Sequence, residues 1–183
     1  MKVSFFATSL VTVAIATVVV GVSCGPGDEA SSGKPKTAPP IFQKSGDTTL
    51  GAKSIYSESL SPLKFFDNDP ATFWHSGNPG GDYGWISVSF PKPFKASTYT
   101  IVRRSEIASQ APAHFILEGS TSTAFPDSGS KWEILDEVKE QKWEGLTHTY
   151  KIKKPKEYVH YRLTVLKTVS DFTHASVAEW NLK

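Results

Sequence analysis

The sequence predicts an all-β protein, an antiparallel sandwich or barrel, and three observations carry that prediction. From about residue 49 the chain alternates apolar and polar residues in short runs. The runs are separated by clusters of Gly, Pro, Ser and Asp, which turn a chain rather than extend it. No segment holds an apolar stripe at helical period for more than a couple of turns, and no repeat of fixed period is present.

The strands follow in order. WISVSF (85–90) places Ile86, Val88 and Phe90 on one face and Ser87 and Ser89 on the other, as a half-buried strand does. STYTIVRR (the 98–105 region), HFILEG (114–119), KWEIL (131–135) and THTYKIK (147–153) repeat the rhythm with β-branched and aromatic residues. YVHYRLTVL (158–166) points Val159, Tyr161, Leu163 and Val165 inward and His160, Arg162 and Thr164 outward, and HASVAEWNL (174–182) closes the chain. Trp74, Trp85 and Trp180 lie in or beside these runs and are assigned to the core.

With 183 residues there is room for one core of ordinary size. A net charge of +2 and 12% aromatic residues favour a packed domain over an electrostatic nucleic-acid binder or a disordered chain. The N-terminus differs in kind. MKVSFFATSLVTVAIATVVVGVSC opens with Lys2 and runs through apolar and small residues, the pattern of a secretory signal over 1–23, although the run is also long enough for a membrane-spanning helix. Cys24 is the single cysteine, so no intrachain disulfide forms. Its setting resembles a bacterial lipobox, with Gly21 where Leu is usual, and that resemblance implies lipidation of Cys24 and anchoring to the cell membrane or the outer membrane. Residues 24–48, rich in Gly, Pro, Ser and Lys, read as a flexible tether, which leaves 49–183 as the folded domain.

The stretch FDNDPATFWHS (66–76) carries the most chemistry. Asp67, Asn68, Asp69 and Thr72, tightened by Pro70, supply the carboxylate, carbonyl and hydroxyl oxygens that a hard cation such as calcium takes, and His and Cys are too sparse for a structural zinc site. Without an ion the same residues form an Asx turn that caps local amides.

The succession KFFDNDPATFWHS, WISVSF, TIVRR, HFILEGSTS, KWEIL, KPKEYVHYRLTV and ASVAEWNL resembles the discoidin domain, also called the coagulation-factor type C domain, and the galactose-binding-like carbohydrate-binding modules related to it. The resemblance spans roughly residues 50–183. It implies a jelly-roll β-sandwich with ligand loops at one end and a structural calcium ion held at the positions of Lys64, Asp67, Asp69, Thr72 and Glu179. It also implies a sugar contact by an arginine at the end of TIVRR and an aromatic on a neighbouring loop, positions that Arg104 and Phe172 match.

Sugar recognition needs an aromatic face for the C–H side of a pyranose and polar groups around its hydroxyls. The Gly-rich loop after Trp74 offers His75, Asn78, Asp82 and Tyr83, so the candidate ligand set is His75, Asn78, Tyr83, Arg104 and Phe172. No nucleophile elbow, HExxH or phosphate loop is present. The expectation is an exported, non-catalytic module that binds carbohydrate. The alternative is an adhesion domain for a surface protein or a phospholipid headgroup, although the loop at 75–84 carries little apolar surface for membrane insertion.

Overall fold

The computed structural model describes residues 39–77, 83–126, 131–171 and 174–183, all within one compact unit, Thr37–Lys183. The expected signal segment, Cys24, Asn78 and Phe172 lie outside the described residues.

Eleven strands form among the described residues: β1 (Ile41–Ser45), β2 (Thr48–Ala52), β3 (Trp74–His75), β4 (Trp85–Lys95), β5 (Thr98–Val102), β6 (Pro112–Ser120), β7 (Glu133–Val138), β8 (Thr147–Lys151), β9 (Glu157–Thr168), β10 (Ser176–Val177) and β11 (Glu179–Leu182). A six-stranded sheet runs in the order β1-β2-β4-β9-β6-β7, and a three-stranded sheet in the order β11-β5-β8. All pairings are antiparallel, and β3 with β10 makes a separate short ladder.

The alternation seen in the sequence places the core as expected. Ile86 and Val88 of β4 and Tyr161, Leu163 and Val165 of β9 point inward with Leu50, Phe115 and Leu117. They meet Tyr99, Ile101, Tyr150 and Trp180 of the smaller sheet, where the Tyr99 and Tyr150 rings stack at 4.7 Å and Phe115 meets Tyr150 edge-on at 5.4 Å. Trp74 and Trp180 are fully buried, as expected of core tryptophans.

The structure differs from the sequence expectation at the start of the sheet and on its outer face, where Trp85, assigned to the core, packs in a separate layer on the other side of β4. The sheet begins at Ile41, inside the expected tether, because β1 pairs residue by residue with β2. The outer face of the large sheet is also covered. Phe42, Trp85, Phe125 and Trp132 pack there, with Phe125 centred 4.9 Å from Phe42 and 5.2 Å from Trp85. Gly51 makes room for this layer, since a Cβ at that position would sit 2.7 Å from the Phe42 ring and 2.5 Å from Ser87 Oγ. The alternating serines of WISVSF therefore face a second apolar layer, and Ser87 is fully buried.

Candidate functional site

Two clusters occupy the loops that lead into and out of β3. The first is a set of oxygens. After the 3-10 turn Pro62–Phe65, Asn68 adopts a left-handed backbone (φ 59°), which short polar side chains tolerate. Asp67 Oδ1 accepts the Asp69 amide at 3.1 Å and Asp69 Oδ1 accepts the Ala71 amide at 3.0 Å, two successive Asx turns. The Asp69 carboxylate is thus spent on the backbone, while its carbonyl turns inward.

Thr72 Oγ1 stands in the middle, 3.0 and 2.8 Å from the two Asp67 carboxylate oxygens, 3.2 Å from the Asp69 carbonyl and 3.4 Å from the Lys64 carbonyl. The hydroxyl has one hydrogen and so serves only one of these acceptors at a time, while the Asp69 amide and Lys64 Nζ donate to Asp67 and the Thr72 amide donates to the Asp69 carbonyl. Glu179, at the start of β11, completes the group. It is buried, and neither carboxylate oxygen has a hydrogen-bond partner among the described residues. Burial, and then the neighbouring Asp67 carboxyl, push its pKa up to about 7, with the Asp69 and Asn68 amides pulling the other way. Burial also acts to raise Asp67, but hydrogen bonds from Thr72, the Asp69 amide and Lys64 hold it below its ordinary value. The five residues Lys64, Asp67, Asp69, Thr72 and Glu179 are therefore together. Among the described residues no three or more His, Cys, Asp or Glu side chains gather around one point, so this cage rests on two carboxylates with carbonyl and hydroxyl oxygens.

The second cluster is built directly on the first. Thr72 leads into Phe73 and the two residues of β3, and Glu179 pairs with Val102, from which the chain runs on to Arg104. The oxygen cage thus ties together the two segments that deliver Phe73, His75 and Arg104. The Arg104 guanidinium lies over the Phe73 ring at 4.0 Å, with Nη2 donating to Glu106 at 2.8 Å and Nη1 to Gln110 Oε1 at 3.5 Å. Its Nε is buried without a partner among the described residues.

His75 is buried between this arginine and His174. Its Nδ1 sits 2.9 Å from the Ser76 carbonyl, which only accepts, so Nδ1 carries the proton and Nε2 accepts from Gln110 Nε2 at 3.1 Å. Burial holds the His75 pKa below its ordinary value, opposed by the Ser76 bond and reinforced by the charges of His174 and Arg104. His174 Nδ1 donates to the same Ser76 carbonyl at 3.0 Å, and the two imidazoles lie 4.9 Å apart. Tyr56 is 64% exposed and meets both rings edge-on, at 5.1 and 5.5 Å. The loop beneath is close-packed, since a Cβ on Gly77 would lie 2.2 Å from the Ile55 carbonyl oxygen.

The structure therefore brings His75 and Arg104 together, as the sequence reading requires. Tyr83 is a correction. Gly84 at φ +76° turns the chain so that the Tyr83 side chain enters the core at 5% exposure, out of reach of a ligand on the loops. The sequence reading did not select Tyr56, Phe73, Gln110 or His174, which come from segments far apart in the chain and meet only through the β3–β10 ladder and the ends of β5 and β9. Phe73 carried a signal, standing beside Trp74 in the motif that supplies His75.

No protein-family model matches the chain, and no curated protein does either. Solved structures do. The module CpGH89CBM32-5 from Clostridium perfringens, in complex with GalNAc-β-1,3-galactose, superposes with a TM-score of 0.62 at 18% identity over 74% of this chain and 94% of its own. The family 32 carbohydrate-binding module of Clostridium perfringens NanJ, in complex with galactose, gives 0.61 at 18% identity, covering 74% and 93%. Chitosan-binding module 1 of a chitosanase/glucanase from Paenibacillus sp. IK-5 gives 0.62 at 17% identity, covering 75% and 95%. The fold is the galactose-binding-like jelly roll. In this jelly roll the Phe73, His75 and Arg104 cluster and the oxygen cage lie on adjoining parts of the same two segments.

Proposed function

We propose that this domain is a non-catalytic module that binds the galactose-type end of a carbohydrate at Tyr56, His75, Arg104 and His174. The observation that carries this reading is the Arg104 guanidinium, held over the Phe73 ring at 4.0 Å, with its outer bond given to Glu106, itself a mostly exposed side chain. A guanidinium held this way presents fixed N–H donors to sugar hydroxyls without first being ordered by the ligand. Beside it, His174 Nε2 has no partner among the described residues, and the exposed Tyr56 ring offers a face to the C–H side of a pyranose. Glu106 or Gln110 would accept from a hydroxyl that displaces their present bond to Arg104. Support from outside this chain comes from jelly rolls of the same fold solved with galactose and with GalNAc-β-1,3-galactose.

The oxygen cage fits a calcium ion. The donor set is hard oxygen of mixed type, two carboxylates stand side by side in it, and the buried Glu179 has neither oxygen hydrogen-bonded among the described residues. The Lys64 and Asp69 carbonyls, the Asp67 and Glu179 carboxylates and the Thr72 hydroxyl would hold the ion, whose charge would neutralise the two acids. The module is further proposed to be exported and anchored through an acylated Cys24.

An array of galactose-, N-acetylgalactosamine- and glucosamine-terminated glycans tests the sugar reading. Binding to galactose-type ends that disappears in Arg104→Lys, which keeps the charge and removes the fork, is the expected result. A blank array for a folded protein rejects it. Mass spectrometry of the native N-terminus tests the anchor: an acylated Cys24 is expected, and a terminus cleaved elsewhere and unmodified rejects it.

A further inference from the structure

The loop between β7 and β8 carries an aromatic feature separate from the His75 cluster. A groove of about 480 Å³ lies there, lined chiefly by Lys139, Lys142, Trp143, Lys167 and Val169, with Ala113 of β6 at its base. That volume is in the range of small-ligand clefts, about 300–1,000 Å³. The groove is preformed. Trp143 Nε1 donates to the Pro112 carbonyl at 2.9 Å, the Gln141 amide donates to the Ala113 carbonyl at 2.9 Å, and the Gln141 side chain accepts from Tyr150 Oη at 2.8 Å. These bonds pin the loop to the edge of β6. The indole also borders a second depression of about 330 Å³ beside Gly145 and His148, so it stands as a fixed wall between two hollows.

The charge of the lining is one-sided, with three lysines against Glu140. Lys139 and Lys167 have carboxylate neighbours, Glu137 at 3.8 Å and Asp171 at 3.4 Å, but these are long, exposed pairs that an incoming anion displaces at little cost. Lys142 has no ion pair among the described residues.

We propose that this groove is a second ligand site that takes an acidic saccharide, a uronate-type sugar laid against Trp143 with its carboxylate among Lys139, Lys142 and Lys167. A flat, immobilised indole and the apolar Ala113 and Val169 receive the C–H face of a sugar ring, Glu140 accepts from its hydroxyls, and the lysines select for negative charge. The site uses none of the residues around His75, so it stands or falls independently of the reading given above.

The test follows the Trp143 indole N–H resonance of isotope-labelled protein, assigned by its loss in Trp143→Phe, during titration with trigalacturonate. The resonance is expected to shift saturably, with affinity reduced about tenfold in Lys142→Glu by loss of one charge-assisted contact. The same charge change at Lys44→Glu, on the exposed strand β1, is expected to leave the affinity unaltered. An unmoved resonance, an equal response in Lys142→Glu, or an equal response to neutral galactotriose overturns the proposal. So does a response to a polyglutamate peptide with none to trigalacturonate, which would reassign the groove to acidic peptides.

Discussion

Two glutamates, Glu118 and Glu179, are withdrawn from solvent in this molecule, and the protein treats them in opposite ways. Glu118 is finished. Arg162 grips it with two bonds of 2.8 Å, Thr164 adds a third at 2.7 Å, and the guanidinium is capped by the Trp132 ring at 4.2 Å. Glu179 sits beside a second carboxylate, with no hydrogen bond to either oxygen among the described residues. A buried carboxylate with its own arginine is a structural joint. One set beside a second carboxylate, with no arginine or lysine bonded to it, depends instead on its protonation state and on the proposed ion.

The largest expected effect lies on the finished side. Arg162→Met leaves the Glu118 charge partly buried and unpaired, and chemical denaturation is expected to report a loss of about 3–5 kcal/mol relative to wild type that is the same with and without calcium. If calcium narrows the difference between that variant and wild type, the contrast between the two glutamates is wrong.

On the unfinished side, pH is the probe. The Glu179 pKa rises on folding from 4.5 to about 7, so in chelator the native state holds more protons than the unfolded chain between those values. That contribution to stability is fully present below 4.5 and is lost as pH climbs toward 7, a span of about 3 kcal/mol. Glu179→Gln is expected to flatten this part of the profile, as followed by melting temperature in chelator. A wild-type curve that does not fall relative to that of Glu179→Gln over this range contradicts the assignment. At neutral pH, calcium at a hundredfold excess over its dissociation constant is expected to stabilise the wild type by about 2.7 kcal/mol and to leave Glu179→Gln unchanged. An unchanged wild-type melting curve removes the ion.

Smaller effects are expected at the proposed sugar site. Arg104→Ala is expected to weaken galactoside binding by about 2 kcal/mol, read by calorimetry, with the calcium response intact. Tyr56→Ala is expected to cost about 1 kcal/mol, since one exposed ring face is lost and no buried group is orphaned.

The sequence carried the sandwich because strand alternation is local and survives translation into three dimensions. Ile86, Val88, Tyr161, Leu163 and Val165 face inward as their spacing requires. It did not carry the second apolar layer, because serine in alternate positions reads as a solvated face whether or not a distant Phe125 folds over it. The cage was half visible. The Asx turns of Asp67 and Asp69 follow from local turn chemistry, whereas the arrival of Glu179 from the last strand came only through resemblance to other modules. Of the cluster around His75, the sequence showed His75 and Arg104, which sit in distinctive motifs. His174 and Gln110 look ordinary in the sequence and acquire their place only from chain closure. Tyr83 misled because a Gly-rich neighbourhood suggests an exposed loop, and a single left-handed glycine reversed its direction.

The Ser76 carbonyl has a further consequence. Its two lone pairs are both taken, one by each imidazole, so neither ring can swing away without stripping a hydrogen bond from a fully buried residue, at about 1 kcal/mol. The loop that ends in His174 and the strand that ends in His75 are thereby latched to one atom. From the inner ring the chain of bonds runs on through Gln110 to the arginine, so the two histidines, the amide and the guanidinium are joined in one hydrogen-bonded set.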